Sequence, residues 1–335
     1  MVTLLDVARR ARVSSATVSR VLNGAGRISE STRRRVIEVA NHLGYQPNQV
    51  AKSLRLGRGR SVALLIGDIE QGTYMALTKR VQLALQALDL DLLLFNLDHR
   101  EDRLFGFLDR APTMGLLGVV MAVPRRMDGR RLARYAERLR TQGMLLVAVG
   151  QRLNRLGVPS IVHDEVTGAG LAIDRLVTGG HWPLAYLGRT VTSATGGARY
   201  RGFRAALTAR GADTATCELW ECTDKFRAEA GYHVVGEALR RGTHVRGVVA
   251  MSDEMALGGI AAALDQGLAV PRDIAFVGYG ALDWGGYARP ALTSVLVNAD
   301  AVAEALEALF RAHQEAREPR MLTIVRPALV ARTSA

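Results

Sequence analysis

Thr3-Leu4-Leu5-Asp6-Val7-Ala8, followed by Val13-Ser14-Ser15-Ala16-Thr17-Val18-Ser19-Arg20-Val21-Leu22-Asn23, decides how the first part of this chain folds. Thr3 and Asp6 have the spacing of a capping box, which opens a helix at about Leu4 and lets it run to Ala11. Arg12-Val13 make a turn, and Ser14 is the natural N-cap of a second helix that ends near Asn23-Gly24. Val7, Ala8, Ala11, Val13, Val18 and Val21 supply a small core between the two. Ser29 caps a third helix, in which Val36, Val39, Ala40 and Leu43 follow helical spacing and Gly44 marks the end. Three helices so spaced form a helix-turn-helix module, and its second helix is the one that enters the major groove of DNA.

The chemistry of that helix follows from its faces. Ser14, Thr17, Ser19 and Asn23 offer hydroxyls and an amide that bond phosphates and fix register; Thr3 and Leu4, at the start of the first helix, belong to the same DNA-facing set. Ser15, Ala16 and Arg20 are the base-edge candidates. Arg20 can donate two hydrogen bonds to guanine, and the Ala16 methyl can meet a thymine methyl. For each serine the plainer role is local capping, and for Ser14 the two roles are compatible.

Charge points the same way. Residues 1–60 hold 12 Lys+Arg and 3 Asp+Glu, a balance of +9, so the remaining 275 residues carry only +3 of the total +12. A basic segment on a nearly neutral body implies a polyanion partner for that segment. Next come Asn48-Gln49-Val50-Ala51-Lys52-Ser53-Leu54-Arg55, between Pro47 and the Gly57/Gly59 pair. This reads as a two-turn hinge helix, too short to be stable alone and therefore expected to form on DNA. Asn48, Lys52 and Arg55 are its DNA contacts, and Leu54 is either a wedge for the minor groove or a leucine resting on the next domain.

The stretches "LLDVARRARVSSATVSRVLNG", "ISESTRRRVIEVANHLGYQPN" and "VAKSLR" resemble, in order and spacing, the headpiece of the lactose/galactose repressor family. The resemblance implies dimers on palindromic double-stranded operators, with paired hinge helices and the leucine at Leu54 inserted at a central base step. It continues through "RYRGFRAAL", "SDEMALGGIAAALDQGLAVPRDIAFVGYG" and "RPALTSV", which look like the family's effector domain, itself similar to periplasmic sugar-binding proteins. The expected architecture is an all-α helix-turn-helix headpiece with a hinge helix over 1–60, then an α/β, two-lobed periplasmic-binding-protein-like domain over 61–335, the chain crossing between lobes three times.

The body supports that reading on its own pattern. Apolar runs at Val62–Ile66, Asp91–Phe95, Leu117–Ala122, Met144–Val149, Leu184–Leu187, Gly247–Met251 and Ile274–Val277 alternate with helical stretches near Tyr74–Leu88, Glu101–Arg110 and Gly129–Thr141. This is a parallel α/β design, whose ligands bind beyond the carboxyl ends of the strands. On the resemblance, a small-molecule effector is held by Tyr74, Arg199, Phe226 and Ser252 beside Asp253. For Arg199 an inter-lobe salt bridge, and for Phe226 core packing, are the plainer alternatives. Many members carry an aspartate directly after "GY"; here Tyr279 is followed by Gly280, with Asp283 as a candidate substitute and Trp284 as a stacking surface. Loss of that carboxylate favours a sugar acid or sugar phosphate over a neutral sugar.

Other classes find little support. There is no P-loop, H-E-x-x-H or G-x-S-x-G motif, so an enzyme is not expected. His163-Asp164 is an acid–base pair only in isolation; Asp164 reads as a helix cap. Cys217 and Cys222 give neither a metal nor a disulfide framework, and no cofactor is expected. No apolar run reaches membrane-spanning length and no signal peptide is evident, so the expectation is a cytoplasmic, nucleoid-associated protein without membrane contact. A pure ligand-binding receptor would lack the headpiece, and an architectural DNA binder would lack the cleft. Ala301–Ala312 reads as an ordinary lobe helix without a heptad tail, so a homodimer is expected. Release from DNA by the effector is the favoured response, with co-repression by a non-sugar metabolite as the alternative.

Overall fold

The computed structural model describes residues 2–22, 28–45, 59–123, 127–222 and 227–335. The chain divides into two units, Met1–Gly59 and Arg60–Ala335. In the first, α1 is Leu4–Ala11, α2 Ser15–Leu22 and α3 Glu30–His42. The capping box at the start of α1 is formed: the Thr3 amide donates to Asp6 Oδ2 at 2.9 Å and the Asp6 amide to Thr3 Oγ1 at 3.3 Å. Ser14 accepts from the Thr17 amide at 3.1 Å and Ser29 from the Thr32 amide at 3.4 Å, as their positions predict. Arg12 takes a left-handed conformation (φ 55°), which turns the chain between α1 and α2. Eight-residue helices are marginal alone. Val7, Val18 and Val36, one from each helix and all fully buried, join them into one core. The hinge helix read over 48–55, with Asn48, Lys52, Leu54 and Arg55, lies outside the described residues, as do Asn23 and Phe226.

The second unit holds two sheets. The first contains β1 (Ser61–Ile66), β2 (Asp91–Asn96), β3 (Leu116–Ala122), β4 (Leu145–Val149), β5 (Ser160–His163) and β11 (Leu322–Val325). They lie in the order β2-β1-β3-β4-β5-β11 and are parallel throughout. The second contains β6 (Leu184–Gly188), β7 (Glu218–Glu221), β8 (Gly247–Ala250), β9 (Ala275–Gly280), β10 (Thr293–Leu296) and β12 (Ala328–Val330). Its order is β7-β6-β8-β9-β10-β12, with only β12 antiparallel to its neighbour. The chain therefore passes between lobes after β5, after β10 and between β11 and β12.

Burial explains why β1, β3 and β4 read as continuous apolar runs, whereas β2, expected from Asp91–Phe95 to be a buried strand, lies at the sheet edge and is largely exposed. Val62, Leu64 and Ile66 of β1 face α4 (Gly72–Gln86) and α11 (Ala299–Gln314), meeting Leu77, Val81, Leu306 and Phe310. Ala63 and Leu65 face the other way, onto Phe105 and Leu108 of α5 (Glu101–Arg110) and Leu132 and Leu139 of α6 (Gly129–Thr141). Helices on both faces leave no strand position free to be polar. In the second lobe the remaining helices are α7 (Glu165–Thr178), α8 (Ala194–Ala209), α9 (Ala228–Arg240) and α10 (Asp253–Asp265). Among the described residues no helix is long and apolar enough to cross a membrane.

Candidate functional site

On the N-terminal unit, packing decides which side of α2 is left for a partner. Val18 and Val21 point into the core. Ser14, Ser15, Ala16 and Arg20 are exposed, and Thr17 and Ser19 are partly so. Ser14 Oγ also lies 2.9 Å from Thr17 Oγ1, so it caps α2 while remaining at the surface. Thr3 is exposed at the start of α1, with Leu4 half-buried against the core.

Both sheets place their second strand outside the first and then step back across it, as in β2-β1-β3 and β7-β6-β8. The crevice at such a reversal, beyond the carboxyl ends of the strands, is where open α/β sheets bind ligands. Here the two crevices share one cleft enclosing about 980 Å³ of space that includes open solvent. From the first lobe it is lined by residues following β1, β3 and β4, and by His163 at the end of β5. From the second come Thr195 and Arg199 of α8, the Met251–Glu254 segment after β8, and Gly280 and Leu282 at the end of β9. Of the predicted ligand residues, Tyr74, Arg199 and Ser252 meet there. Burial pushes the Tyr74 hydroxyl far above its ordinary value, so it remains a neutral donor. Ser252 Oγ accepts from the Met255 amide at 3.2 Å, so it caps α10 as well as lining the cleft.

Arg199 is buried and already engaged. Its Nη1 donates to the Met251 carbonyl at 2.5 Å, and its Nε faces both oxygens of Glu165 at 3.3 and 3.4 Å. The guanidinium lies 4.5 Å from the centre of the Tyr279 ring. Burial alone would lower its pKa, but Glu165 and the neighbouring tyrosines hold it above the ordinary value. Burial pushes the Glu165 carboxyl up, with Arg199 opposing. The ion pair joins Arg199 to the first residue of α7, just after the crossover from β5. Asp164 in front of it caps α7, accepting from the Thr167 amide at 3.1 Å.

Asp253, Asp283 and Trp284 are not brought into the cleft. Asp253 has no exposed surface and turns inward, where Oδ2 accepts from the Leu282 amide at 2.8 Å and Oδ1 from Ser294 Oγ at 2.5 Å. It ties α10 to the ends of β9 and β10. Asp283 is exposed on the turn after β9, and Trp284 is half-exposed beside it. Gly280 has φ +139°, and a Cβ there would lie 3.0 Å from Asp253 Oδ2 and 3.2 Å from Thr73 Cγ2. That crowding, with a backbone angle that disfavours side chains, accounts for glycine at this position. Burial pushes the Asp253 carboxyl up to about 6. A native pKa above the unfolded value means stability is greatest below about 4 and falls as pH rises through about 6. The whole change is on the order of 3 kcal/mol. Asp253→Asn is expected to flatten this part of the pH–stability curve in urea unfolding between pH 4 and 7; an unchanged slope would assign it to other groups.

Residues 3–48 match the model of bacterial regulatory proteins, lacI family, and residues 173–335 that of a periplasmic binding protein-like domain. Catabolite control protein A of Priestia megaterium is 30% identical over 296 residues, covering 88% of this chain and 87% of the relative. The chain belongs to the LacI family. It is a DNA-binding transcriptional regulator built from a helix-turn-helix headpiece and an effector-type domain. The HTH-type transcriptional regulator GalS of Salmonella typhimurium is also 30% identical, over 88% of this chain and 85% of that one. The HTH-type transcriptional repressor PurR of Erwinia tasmaniensis is 29% identical, over 100% and 97%. In fold, the regulator superposes on the lac repressor dimer bound to operator and the anti-inducer ONPF with a TM-score of 0.89, at 21% identity over 99% of this chain and 98% of that one.

Sequence reading overlooked several groups that join the regulator's two lobes. Glu254 lines the cleft and its Oε1 accepts from the Gly72 amide across it at 3.1 Å. Arg227, just before α9, pairs with Asp68 Oδ2 at 3.2 Å and with Glu70. Asp68 and Glu70 belong to the loop after β1 and Gly72 opens α4 directly behind it, so one short segment carries these contacts. The signal available in sequence was position alone: these residues follow strand ends.

Proposed function

We propose that the regulator is a repressor of carbohydrate-related genes, held on a palindromic operator as a homodimer and released by a small-molecule effector in the cleft. The observation that carries this reading is the pairing, in one chain, of a basic headpiece exposing Ser15, Ala16 and Arg20 with an interlobe cleft. Strand β1 starts one residue after the body begins at Arg60 and ends at the loop that bridges the lobes. Lobe closure is thereby linked through one strand to the segment that leads to DNA. A coupling of about 1–3 kcal/mol changes operator affinity by roughly 5–150-fold. The reading has no place for a metal or organic cofactor, for enzymatic turnover or for a membrane, and it places the protein in the cytoplasm on the nucleoid.

The dimer reading is supported by an apolar surface on the first lobe. Met75 and Leu83, two turns apart on α4, are exposed, and so is Leu94 on the edge strand β2, which faces the α4 side of the sheet. The test of the whole reading is selection of bound duplexes from a random DNA pool without ligand, at physiological salt. Enrichment of a palindrome is the expected result; binding without enrichment would count against a sequence-reading repressor. A ligand that tightened operator binding would replace release with co-repression.

The Arg227 ion pairs give a further expectation. Their partners are partly exposed, so their effect on stability is small, under about 1 kcal/mol. Because they join the lobes, Arg227→Ala is expected to weaken effector binding severalfold and to make it less sensitive to salt. Calorimetric titrations at low and high salt check this; an unchanged salt dependence would remove the pairs from the closure equilibrium.

A further inference from the structure

Among the described residues that line the cleft, only His163 carries a buried side-chain nitrogen or oxygen without a hydrogen-bond partner, its Nε2. Other unpartnered atoms of this kind, such as the Tyr279 hydroxyl, belong to residues outside the lining. A buried polar atom left unpaired costs stability, roughly 1–3 kcal/mol. It is tolerated where a ligand supplies the missing bond. We propose that His163 is the specificity-determining contact of the cleft and selects an uncharged hydroxylated ligand, a neutral sugar or polyol, over the corresponding acid or phosphate. The proposal rests on the effector-binding reading given above and names the ligand class for it.

Three observations favour an uncharged ligand. Burial, reinforced by the Arg199 charge, pushes His163 down to about 4, so its ring is neutral at physiological pH. A neutral imidazole offers one N–H donor and one lone pair; a hydroxyl can serve either, whereas a carboxylate can serve only the donor. Among the described residues of the lining, Arg199 is the only cationic side chain, and it already has Glu165 as its counterion. Glu254 adds a carboxylate to the same lining. Among the described lining residues an anionic ligand would meet this carboxylate and find no unpaired cation, so the missing aspartate at Gly280 does not by itself favour an acid.

The test uses the full chain and matched probes: D-glucose, D-galactose, D-ribose, cellobiose and lactose against D-gluconate, D-galacturonate and glucose 6-phosphate, titrated calorimetrically into wild type and His163→Phe. At least one uncharged probe is expected to bind at least tenfold more tightly than every acid and phosphate, and to lose at least tenfold in His163→Phe. His163→Gln, which keeps a donor and an acceptor, should retain part of the binding. Without ligand, His163→Phe should melt at the same temperature as wild type or higher, because the unpaired nitrogen is gone. A lower melting temperature would show a structural histidine and overturn the proposal. It is equally overturned by tighter binding of an acid or phosphate, by a panel in which no uncharged probe binds, or by an unaffected His163→Phe. Operator selection on the same preparations separates the failures. An enriched palindrome released by an acid leaves the repressor reading standing and removes only this inference.

Discussion

Arg199→Ala is expected to destabilise the body by about 3–5 kcal/mol and to abolish the effector response. The size comes from what the truncation leaves behind. Glu165 would keep its charge in a site where its side chain is 15% exposed, and the Met251 carbonyl would lose its donor. Breaking a buried pair by removing one partner costs more than never having had it. The loss should grow with pH. Burial already raises the Glu165 carboxyl, and Arg199 is what opposes it. Without the guanidinium the native pKa rises further above the unfolded one, so the variant is relatively most stable when Glu165 is protonated and weakens as pH climbs. The double variant Arg199→Met with Glu165→Gln should recover most of the stability and none of the response. Urea unfolding at pH 5 and pH 8, with effector titration of each variant, measures all of this. A single variant within about 1 kcal/mol of wild type would mean that Glu165 finds water or another partner readily. An intact response would remove Arg199 from the site.

The headpiece was legible because its information is local. Thr3, Ser14 and Ser29 cap helices within three residues of themselves, and the core positions follow helical spacing. The long buried strands were legible for a related reason: with helices on both faces, β1, β3 and β4 have no polar position to disguise them. The short strands were not. β7 reads Glu218-Leu219-Trp220-Glu221 and β12 has only 3 residues, so each exists through its neighbour in the sheet. The cleft was legible in part. Tyr74, Arg199 and Ser252 were placed by the family resemblance, and all three line it. Asp253 directly follows Ser252, yet helix geometry turns it inward to Ser294 and Leu282. That direction depends on contacts 41 and 29 residues away, which no local pattern contains. Glu165 was hidden beside the more obvious cap at Asp164. His163 ends the buried run Ser160-Ile161-Val162, and a polar residue at a strand's carboxyl end is the kind of position the strand-end rule should flag.

Arg20→Ala should change DNA recognition most and stability least. Val18 and Val21 anchor α2 in the core, so the helix keeps its orientation when an exposed side chain next to them is shortened. Surface changes of this kind stay within about 0.5 kcal/mol. Loss of a bidentate contact to guanine costs about 1–3 kcal/mol at each half-site. In the proposed dimer both half-sites lose it, so affinity for the selected palindrome should fall by at least tenfold, and by up to about twenty-thousandfold where the two losses add in full. Preference should relax at one position per half-site, while affinity for random duplexes falls far less. Arg20→Lys separates the two ways an arginine can act. It keeps the charge and loses the planar fork, so a base-reading Arg20 predicts that the lysine variant discriminates almost as poorly as alanine while holding random DNA like wild type. A phosphate-contacting Arg20 predicts the reverse: lysine behaves like arginine. Alanine then weakens specific and random binding alike and lowers the salt slope by roughly one per half-site. Measuring both variants on the selected palindrome and on random duplex, across a salt series, distinguishes a helix that reads sequence through Arg20 from one merely held in place by it.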